Sequence, residues 1–290
     1  AKMTLSSAGL LTIADDFIIK DGGTIGSASD ADAITISDAG HVTFSSGSST
    51  TTDGTSNYIA GVNAGNSIES GGNYNTVVGD EAGTAITTGD NNVAVGYAAL
   101  DANTSGTENT AVGGVALSAN TTASYNTAVG YQALEANVDG ASNTAVGRLS
   151  LSDVVSGEDN TAVGTNALAA NTASDNTAVG SLSLDANTSG ASNTAVGKSS
   201  LGANISGDDN TAVGMNALVL NTASDNTAVG SQALDANVGG TQNTAVGKSA
   251  LGANTTASNN TAVGSFALDA NVGGASNTAV GRLSLSAVVS

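Results

Sequence analysis

Five residues, Asn-Thr-Ala-Val-Gly, recur along most of the chain and set its alternation of polar and apolar positions. In the copy at 193–197, Thr194 and Val196 share one face of a predicted short strand, because successive side chains in a strand point to opposite faces. The Asn and Ala of the copy share the other face. The glycine that follows has no Cβ and permits a turn, and a Leu preceded by Ala or Ser comes shortly after it.

The copies are spaced with little variation. Successive copies begin 17 residues apart except at two places, where the interval is 16, and a degenerate copy starts at Asn57. Repeats this short and regular predict a solenoid, in which each copy forms one coil. The thirteen copies begin at Asn75, Asn92, Asn109, Asn126, Asn143, Asn160, Asn176, Asn193, Asn210, Asn226, Asn243, Asn260 and Asn277.

The repeat length selects the type of coil. In a continuous α-helix, 17 residues leave a residual rotation of about 260°, so equivalent positions would share no face. Helical-hairpin repeats need roughly 33 residues or more. We therefore predict an all-β fold, a parallel β-solenoid of the left-handed β-roll type whose coils stack about 4.8 Å apart. The segment 131–137 (YQALEAN) is also compatible with one helical turn in each coil.

Stacking turns the sequence into columns of equivalent residues. We expect Val, Leu and Ala to form one thin apolar layer, and the Asn that follows the Leu in ten coils to occupy left-handed corners and to bond along the axis. The 16-residue copies lack a residue after this Asn, which predicts an exposed, length-tolerant turn there. In two neighbouring copies these ladder positions are Val196, Leu201, Asn204, Val213, Leu218 and Asn221.

The pattern divides the chain into three parts. Residues 1–50 lack the repeat and alternate in four short stretches that predict strands, with a turn at 21–26 (DGGTIG). Residues 51–56 are a small-residue linker or an early, irregular coil, and 57–290 form the solenoid. Because the last copy stops in mid-coil without a polar cap, we expect these 290 residues to be a segment of a longer chain.

A 17-residue coil buries little apolar surface by itself, which favours self-association. We expect a parallel homotrimer, intertwined or side by side, in which the column of small alanines lets the chains approach closely. A single-chain solenoid is the alternative.

Composition and charge narrow the functional classes. The chain has 38 Gly, no Pro, Cys or Trp and only 3% aromatic residues, which is unusual for an enzyme with a wide core. Its net charge of −19 argues against binding nucleic acid or an anionic membrane surface. No apolar run is long enough to span a bilayer, and no cofactor is expected.

Carboxylates provide the one candidate metal site. Acidic residues precede the motif Asn in adjacent copies, and stacked carboxylates about 5 Å apart repel each other unless a hard cation such as Ca²⁺ lies between them. A solvated acidic edge is the other interpretation. The residues concerned are Glu158, Asp159, Asp175, Asp208, Asp209 and Asp225.

Basic and aromatic residues supply the remaining candidates. Arg148, Lys198, Lys248 and Arg282 each follow the motif glycine, and we expect them to pair with acidic neighbours on the same or an adjacent chain, which would help to set registration. The single histidine, His41, is interpreted as a surface or packing residue. Exposed tyrosines are candidates for contact with glycans, namely Tyr97, Tyr125 and Tyr131.

The stretch NTAVGYQALEANVDGASNTAVG (126–147) resembles the head repeats of trimeric autotransporter adhesins and the shafts of phage tail fibres, and the N-terminal segment is similar to parts of such fibres. The resemblance implies a trimeric left-handed β-roll, although the adhesin repeat is shorter and richer in bulky Ile and Val.

We therefore expect a non-enzymatic fibre shaft of a phage tail, which projects a receptor-binding tip for host attachment. Its partners would be further copies of itself, other fibre or virion proteins and a host surface glycan, and its place a virion tail fibre or an extracellular cell surface. A bacterial adhesin is the alternative. An ice-binding solenoid is less favoured, because each strand has one Thr beside a Val rather than two threonines.

Overall fold

The computed structural model describes residues 3–5, 11–13, 24–25, 34–36, 42–44 and 53–286, and the chain divides into two units, Ala1–Ser49 and Thr50–Ser290. In the first unit, β1 (Met3–Leu5) pairs antiparallel with β2 (Leu11–Ile13). A second antiparallel sheet has the order β3 (Thr24–Ile25), β4 (Ile34–Ile36) and β5 (Val42–Phe44). Strands β1, β2, β4 and β5 each lie within one of the four stretches predicted to form strands. The sequence predicted a turn over 21–26, but residues 24–25 form β3, which pairs with β4. The prediction is therefore wrong for these two residues.

The second unit contains one sheet of fourteen parallel strands, each three residues long and each paired with the equivalent strand one coil away. Thr194, Ala195 and Val196, for example, lie opposite Thr211, Ala212 and Val213. The β-solenoid prediction is therefore confirmed. The strands are β6 (Tyr58–Ala60), β7 (Thr76–Val78), β8 (Val93–Val95), β9 (Thr110–Val112), β10 (Thr127–Val129), β11 (Thr144–Val146), β12 (Thr161–Val163), β13 (Thr177–Val179), β14 (Thr194–Val196), β15 (Thr211–Val213), β16 (Thr227–Val229), β17 (Thr244–Val246), β18 (Thr261–Val263) and β19 (Thr278–Val280).

Hydrogen bonds between coils continue beyond the strands into the turns. The Leu201 N–H donates to the Ala217 carbonyl in the following coil at 3.0 Å, and the Ser199 N–H donates to the Ser181 carbonyl in the preceding coil at 3.1 Å. Backbone groups that would be orphaned in isolated turns are therefore paired along the axis. The whole perimeter of a coil, not only its strand, holds the stack together.

The turn segment that carries the Leu is not helical. Gln132 and Leu134 have left-handed φ angles of 57° and 53°, so the helical turn considered for 131–137 does not form. A left-handed backbone costs a residue such as Leu about 1–2 kcal/mol. Complete burial of the side chain offsets this by about 2 kcal/mol. The fully buried leucines are Leu100, Leu117, Leu134, Leu151, Leu168, Leu184, Leu201, Leu218, Leu234, Leu251 and Leu268.

The core consists of the strand alanines packed against these leucines, and two predictions about it are wrong. Ala195 and Ala212 are fully buried, so the alanine column cannot be a surface on which chains meet. The motif valines point outward and are about one-third exposed, as at Val229 (37%), so they are not part of the inner layer. A coil with a single three-residue strand leaves room inside the sheet only for a small side chain beside the Leu.

The solenoid begins before its first strand. The Thr55 N–H donates to Asn73 Oδ1 at 2.8 Å, and the Thr55 carbonyl accepts the Tyr74 N–H at 2.9 Å. These are the contacts that equivalent residues make in later coils, so 55–56 belong to the first coil rather than to a linker. Residues 51–52 of the predicted linker and 287–290 of the predicted solenoid lie outside the described residues.

The two shortened coils confirm where the chain tolerates a deletion. In full-length coils the ladder Asn bonds a carbonyl three residues on, as Asn187 Nδ2 does to Gly190 O at 2.8 Å. In a 16-residue coil, Asn171 Nδ2 bonds Ala173 O, two residues on, also at 2.8 Å. Thr172 between them is exposed. The missing residue is taken from this exposed turn, and the ladder contact is kept.

Candidate functional site

The most regular exposed feature is one face of the fourteen-stranded sheet. We define the outer face as the Thr and Val positions of β7–β19, which flank the buried central residue of each strand, Val77 in β7 and Ala in the others. These positions hold only Thr and Val, and no charge. Each strand after β8 pairs one Thr with one Val, not with a second Thr. The face is an apolar and hydroxyl-bearing strip that runs the length of the stack.

Behind this face, the motif asparagines form a continuous buried ladder. Asn193 donates from its backbone N–H to Asn176 Oδ1 at 3.0 Å and from Nδ2 to Gly207 O at 2.8 Å. Its own Oδ1 accepts the N–H of Asn210 at 3.0 Å. Each buried amide is therefore paired, and it links three successive coils. The sequence placed these asparagines on the same face of the strand as the alanines but did not reveal this ladder.

A second ladder runs through the asparagines that follow the Leu. Asn204 Nδ2 donates to Asn187 Oδ1 at 2.9 Å and to Gly207 O at 3.0 Å, as the predicted bonding along the axis requires. The prediction of left-handed corners at these residues is wrong, because left-handed φ angles fall instead on the Leu, on the residue two positions before it and on the residue before the motif Asn. The members are Asn103, Asn120, Asn137, Asn171, Asn187, Asn204, Asn221, Asn237, Asn254 and Asn271.

The second ladder is interrupted once. Val154, fully buried, occupies the ladder position between Asn137 and Asn171. Asn137 Oδ1 is consequently buried without a hydrogen-bond partner. An unpaired buried acceptor costs about 1–3 kcal/mol. The interruption is a local weakness in the stack.

Replacing Val154 by Asn should therefore raise the free energy of unfolding by about 1 kcal/mol, because a new Nδ2 donor would reach Asn137 Oδ1. The gain is smaller than the penalty removed because the valine's apolar burial is lost. Urea unfolding followed by circular dichroism measures it. Val155→Asn, the same change at a neighbouring exposed valine (46%), should leave stability within about 0.5 kcal/mol. A V154N protein no more stable than V155N would contradict this interpretation of the ladder.

The six carboxylates proposed to hold Ca²⁺ do not form a metal centre. All six side chains are exposed, and among residues 53–286 no group of three or more His, Asp or Glu side chains is arranged to hold a metal ion. Asp159 and Asp175 occupy the same position in adjacent coils, and Asp209 and Asp225 do likewise, but Ser192 separates the two pairs. Asp208 Oδ1 instead accepts the Ala191 N–H at 2.8 Å. The solvated acidic edge fits the geometry.

The four basic residues are exposed and lie in one column, as expected, but in the described part of the chain they do not pair with acids. Among the described residues, none of Arg148, Lys198, Lys248 and Arg282 makes a salt bridge. Lys248 Nζ lies 5.8 Å from the centroid of the Phe266 ring in the next coil, a cation–π contact. Pairing with an adjacent chain stays a prediction.

A column of half-buried carboxylates was missed in the sequence. Asp101, Asp185 and Asp235 directly follow buried leucines, and burial raises the pKa of all three carboxyls. Glu81 contributes a further rise at Asp101. Asp185 Oδ1 lies against Gly202 in the next coil, where a Cβ would stand 3.4 Å away. The signal in the sequence was an acid after the Leu in these coils and at Glu135 and Asp269, at a position that the remaining coils fill with Gly, Ala, Ser or Val.

Because of these carboxyls, we expect the free energy of unfolding to rise as the pH falls from 7 towards 4. A folded-state pKa above the unfolded value means that the folded chain binds protons first, so the destabilisation present at neutral pH is relieved as pH drops through the folded pKa. The net charge of −19 acts in the same direction. Urea midpoints at several pH values measure the effect. Asp185→Asn should weaken the pH dependence of the urea midpoint more than Asp139→Asn, the same change at an exposed residue. An equal pH dependence in the two variants would show that burial of Asp185 is not a cause of the effect.

The candidate tyrosines are exposed in the first coils. Tyr125 and Tyr131 flank the same strand, β10, and are 59% and 53% exposed. The charge of Glu81, to which the phenol hydrogen-bonds, raises the pKa of Tyr97. Their contact with a glycan stays a prediction, and His41 lies outside the described residues.

The described residues include no helix of the length and apolarity that crossing a membrane requires. Comparison of the chain with protein-family models, curated proteins and solved structures gives no match, so the repeat geometry is the basis for any functional conclusion.

Proposed function

We propose that the chain is a structural shaft of an extracellular fibre, of the kind that a phage tail uses to hold a receptor-binding tip away from the particle. The observation that carries the proposal is the unbroken register of fourteen parallel strands. A part whose job is mechanical needs the same pairing at every level, and here every coil repeats the pairing of its strand with the next.

Three sets of bonds that run along the axis support a load-bearing role. Backbone hydrogen bonds join neighbouring coils around the perimeter, the motif Asn ladder joins them beneath the sheet, and the second Asn ladder joins them beside the leucines. At about 4.8 Å per coil, fourteen strands give a column of roughly 60 Å. Load along this axis is shared among many parallel bonds.

In this proposal several parallel copies, three by our expectation, build one shaft, which joins other fibre or virion proteins at its ends. The exposed surface favours solubility: the chain has net charge −19, and the acidic residues before the motif Asn are exposed. The chain itself then has no catalytic step to perform, and host recognition belongs to a tip.

The test combines imaging with binding. Antibodies raised against the full chain should label slender fibres on phage particles in negative-stain electron microscopy. The purified chain should appear as short rods and should not adhere to host cells. Labelling of bacterial surfaces, together with adhesion of the purified chain to cells or matrix, would support the adhesin alternative and overturn the shaft proposal.

A further inference from the structure

The outer face has the size and chemistry of an interaction surface. Its valines are about one-third exposed at rung after rung, as at Val179 and Val229, both 37%. Thirteen rungs about 4.8 Å apart and roughly 10 Å wide give about 600 Å² per chain, or about 1,200 Å² for a pair, the lower range of stable interfaces. The strip is therefore large enough to hold a partner along its length.

The two edges of this face carry opposite charges. We define the leading edge as the residues that precede each motif Asn and the trailing edge as those that follow each motif Gly. The leading edge contains acids and no base; its acids are Glu108, Asp159, Asp175, Asp209 and Asp225. Apart from Asp80, the trailing edge contains no acid. It carries all the bases of the repeat region, which are Arg148, Lys198, Lys248 and Arg282.

The bases and the acids of the two edges also lie on different coils. Strand β14, whose trailing edge is Lys198, lies between β13 and β15, whose leading edges are Asp175 and Asp209. Arg148 likewise has Asp159 one coil away, and Lys248 has Asp225. No coil has a base on one edge and an acid on the other. Acid and base therefore differ in level by one coil, about 4.8 Å, which the long basic side chains can span.

Within the described part of one chain these charges do not meet. The two edges lie on opposite sides of a strand that is three residues, about 10 Å, long, and no salt bridge joins them in residues 53–286. Their complementarity becomes useful only when the edges belong to different molecules.

We propose that parallel copies of this chain pack side by side through the outer face, with the basic trailing edge of one copy against the acidic leading edge of the next. The inference deepens the proposed shaft by naming the surface and the axial register of its assembly. In a cyclic arrangement every trailing edge meets a leading edge. Two chains packed face to face and antiparallel would instead place acid against acid, so the edge charges select the parallel orientation.

The first test measures the mass of the assembled full chain by sedimentation. The wild type should sediment as a small multiple of one chain. Val179→Lys with Val229→Lys on the outer face should give single chains with unchanged circular dichroism. Val155→Lys with Val238→Lys, the same change at two valines that are 46% exposed but lie off the face, should keep the wild-type mass. A single-chain wild type, or an outer-face variant of wild-type mass, would overturn the inference.

The second test exchanges the charges. Lys198→Glu with Lys248→Glu should weaken association by about fivefold for each pair lost. Adding Asp175→Lys and Asp225→Lys, which restores opposite signs, should recover most of it. No recovery would exclude the edge pairing. These results are separable from the shaft proposal, because antibody labelling of phage fibres tests the shaft whichever surface joins its copies.

Discussion

Asn243→Asp is expected to lower the free energy of unfolding by about 3–5 kcal/mol, although it replaces one atom by another of similar size. Asn243 is fully buried, and its Nδ2 donates to Ala257 O at 2.8 Å and to Asn226 Oδ1 at 3.2 Å. In the Asp variant a carboxylate oxygen would face these two oxygen acceptors in place of the Nδ2 donor, and a negative charge would be buried without a partner. Urea unfolding at pH 7 measures the loss.

Gln242→Glu is the matched control, because it makes the same amide-to-acid change at the adjacent exposed residue. Acids already occupy this position in several coils, so stability should stay within about 0.5 kcal/mol. If N243D were as stable as Q242E, the motif Asn ladder would not be a structural element.

Gly230→Ala should lower the free energy of unfolding by about 4 kcal/mol, because the strained backbone of the new alanine and the overpacking around its Cβ both destabilise the fold. Gly230 has φ of +139°, and a Cβ there would lie 2.5 Å from the carbonyl oxygen of Gly247 in the next coil. Backbone atoms cannot rotate away as a side chain would, so the two coils must separate. Thermal unfolding followed by circular dichroism reports the change.

The control for this change lies in the same coil. Gly239 is exposed, and a Cβ there would meet only Thr256 Cγ2 at 3.9 Å. Gly239→Ala should therefore be neutral within about 0.5 kcal/mol. Equal effects of the two alanines would show that the motif glycines are dispensable and that the coils are not in close backbone contact.

The repeat made the stacking predictable, because a fixed interval of about 17 residues leaves few arrangements in which equivalent residues share an environment. The register of Thr194 on Thr211 and the ladder of Asn204 on Asn187 follow from that interval alone. The two-residue periodicity of the strand also separated Thr and Val from Asn and Ala. The periodicity alone did not indicate which of those two faces is buried.

The predictions failed where size and backbone conformation compete with hydrophobicity. Val196 is more apolar than Ala195, yet only Ala fits between the sheet and the Leu, so the smaller residue is inside. The left-handed Leu201 is equally unexpected from propensity, because burial of its side chain and the bond from its N–H to the Ala217 carbonyl in the next coil outweigh its local strain. The half-buried Asp185 depends on the missing side chain at Gly202, a contact that only the three-dimensional stack reveals.

Distances between spin labels test most directly whether the coils stack in register. The chain has no cysteine, so labels attach only where one is introduced, and Thr172, Val238 and Val272 are exposed in one column. With excess unlabelled chain to suppress contacts between molecules, pulsed electron resonance should give about 19 Å for the pair 172/238, four coils apart, and about 29 Å for 172/272, six coils apart. Distances that do not grow with the number of coils would contradict the stacked column.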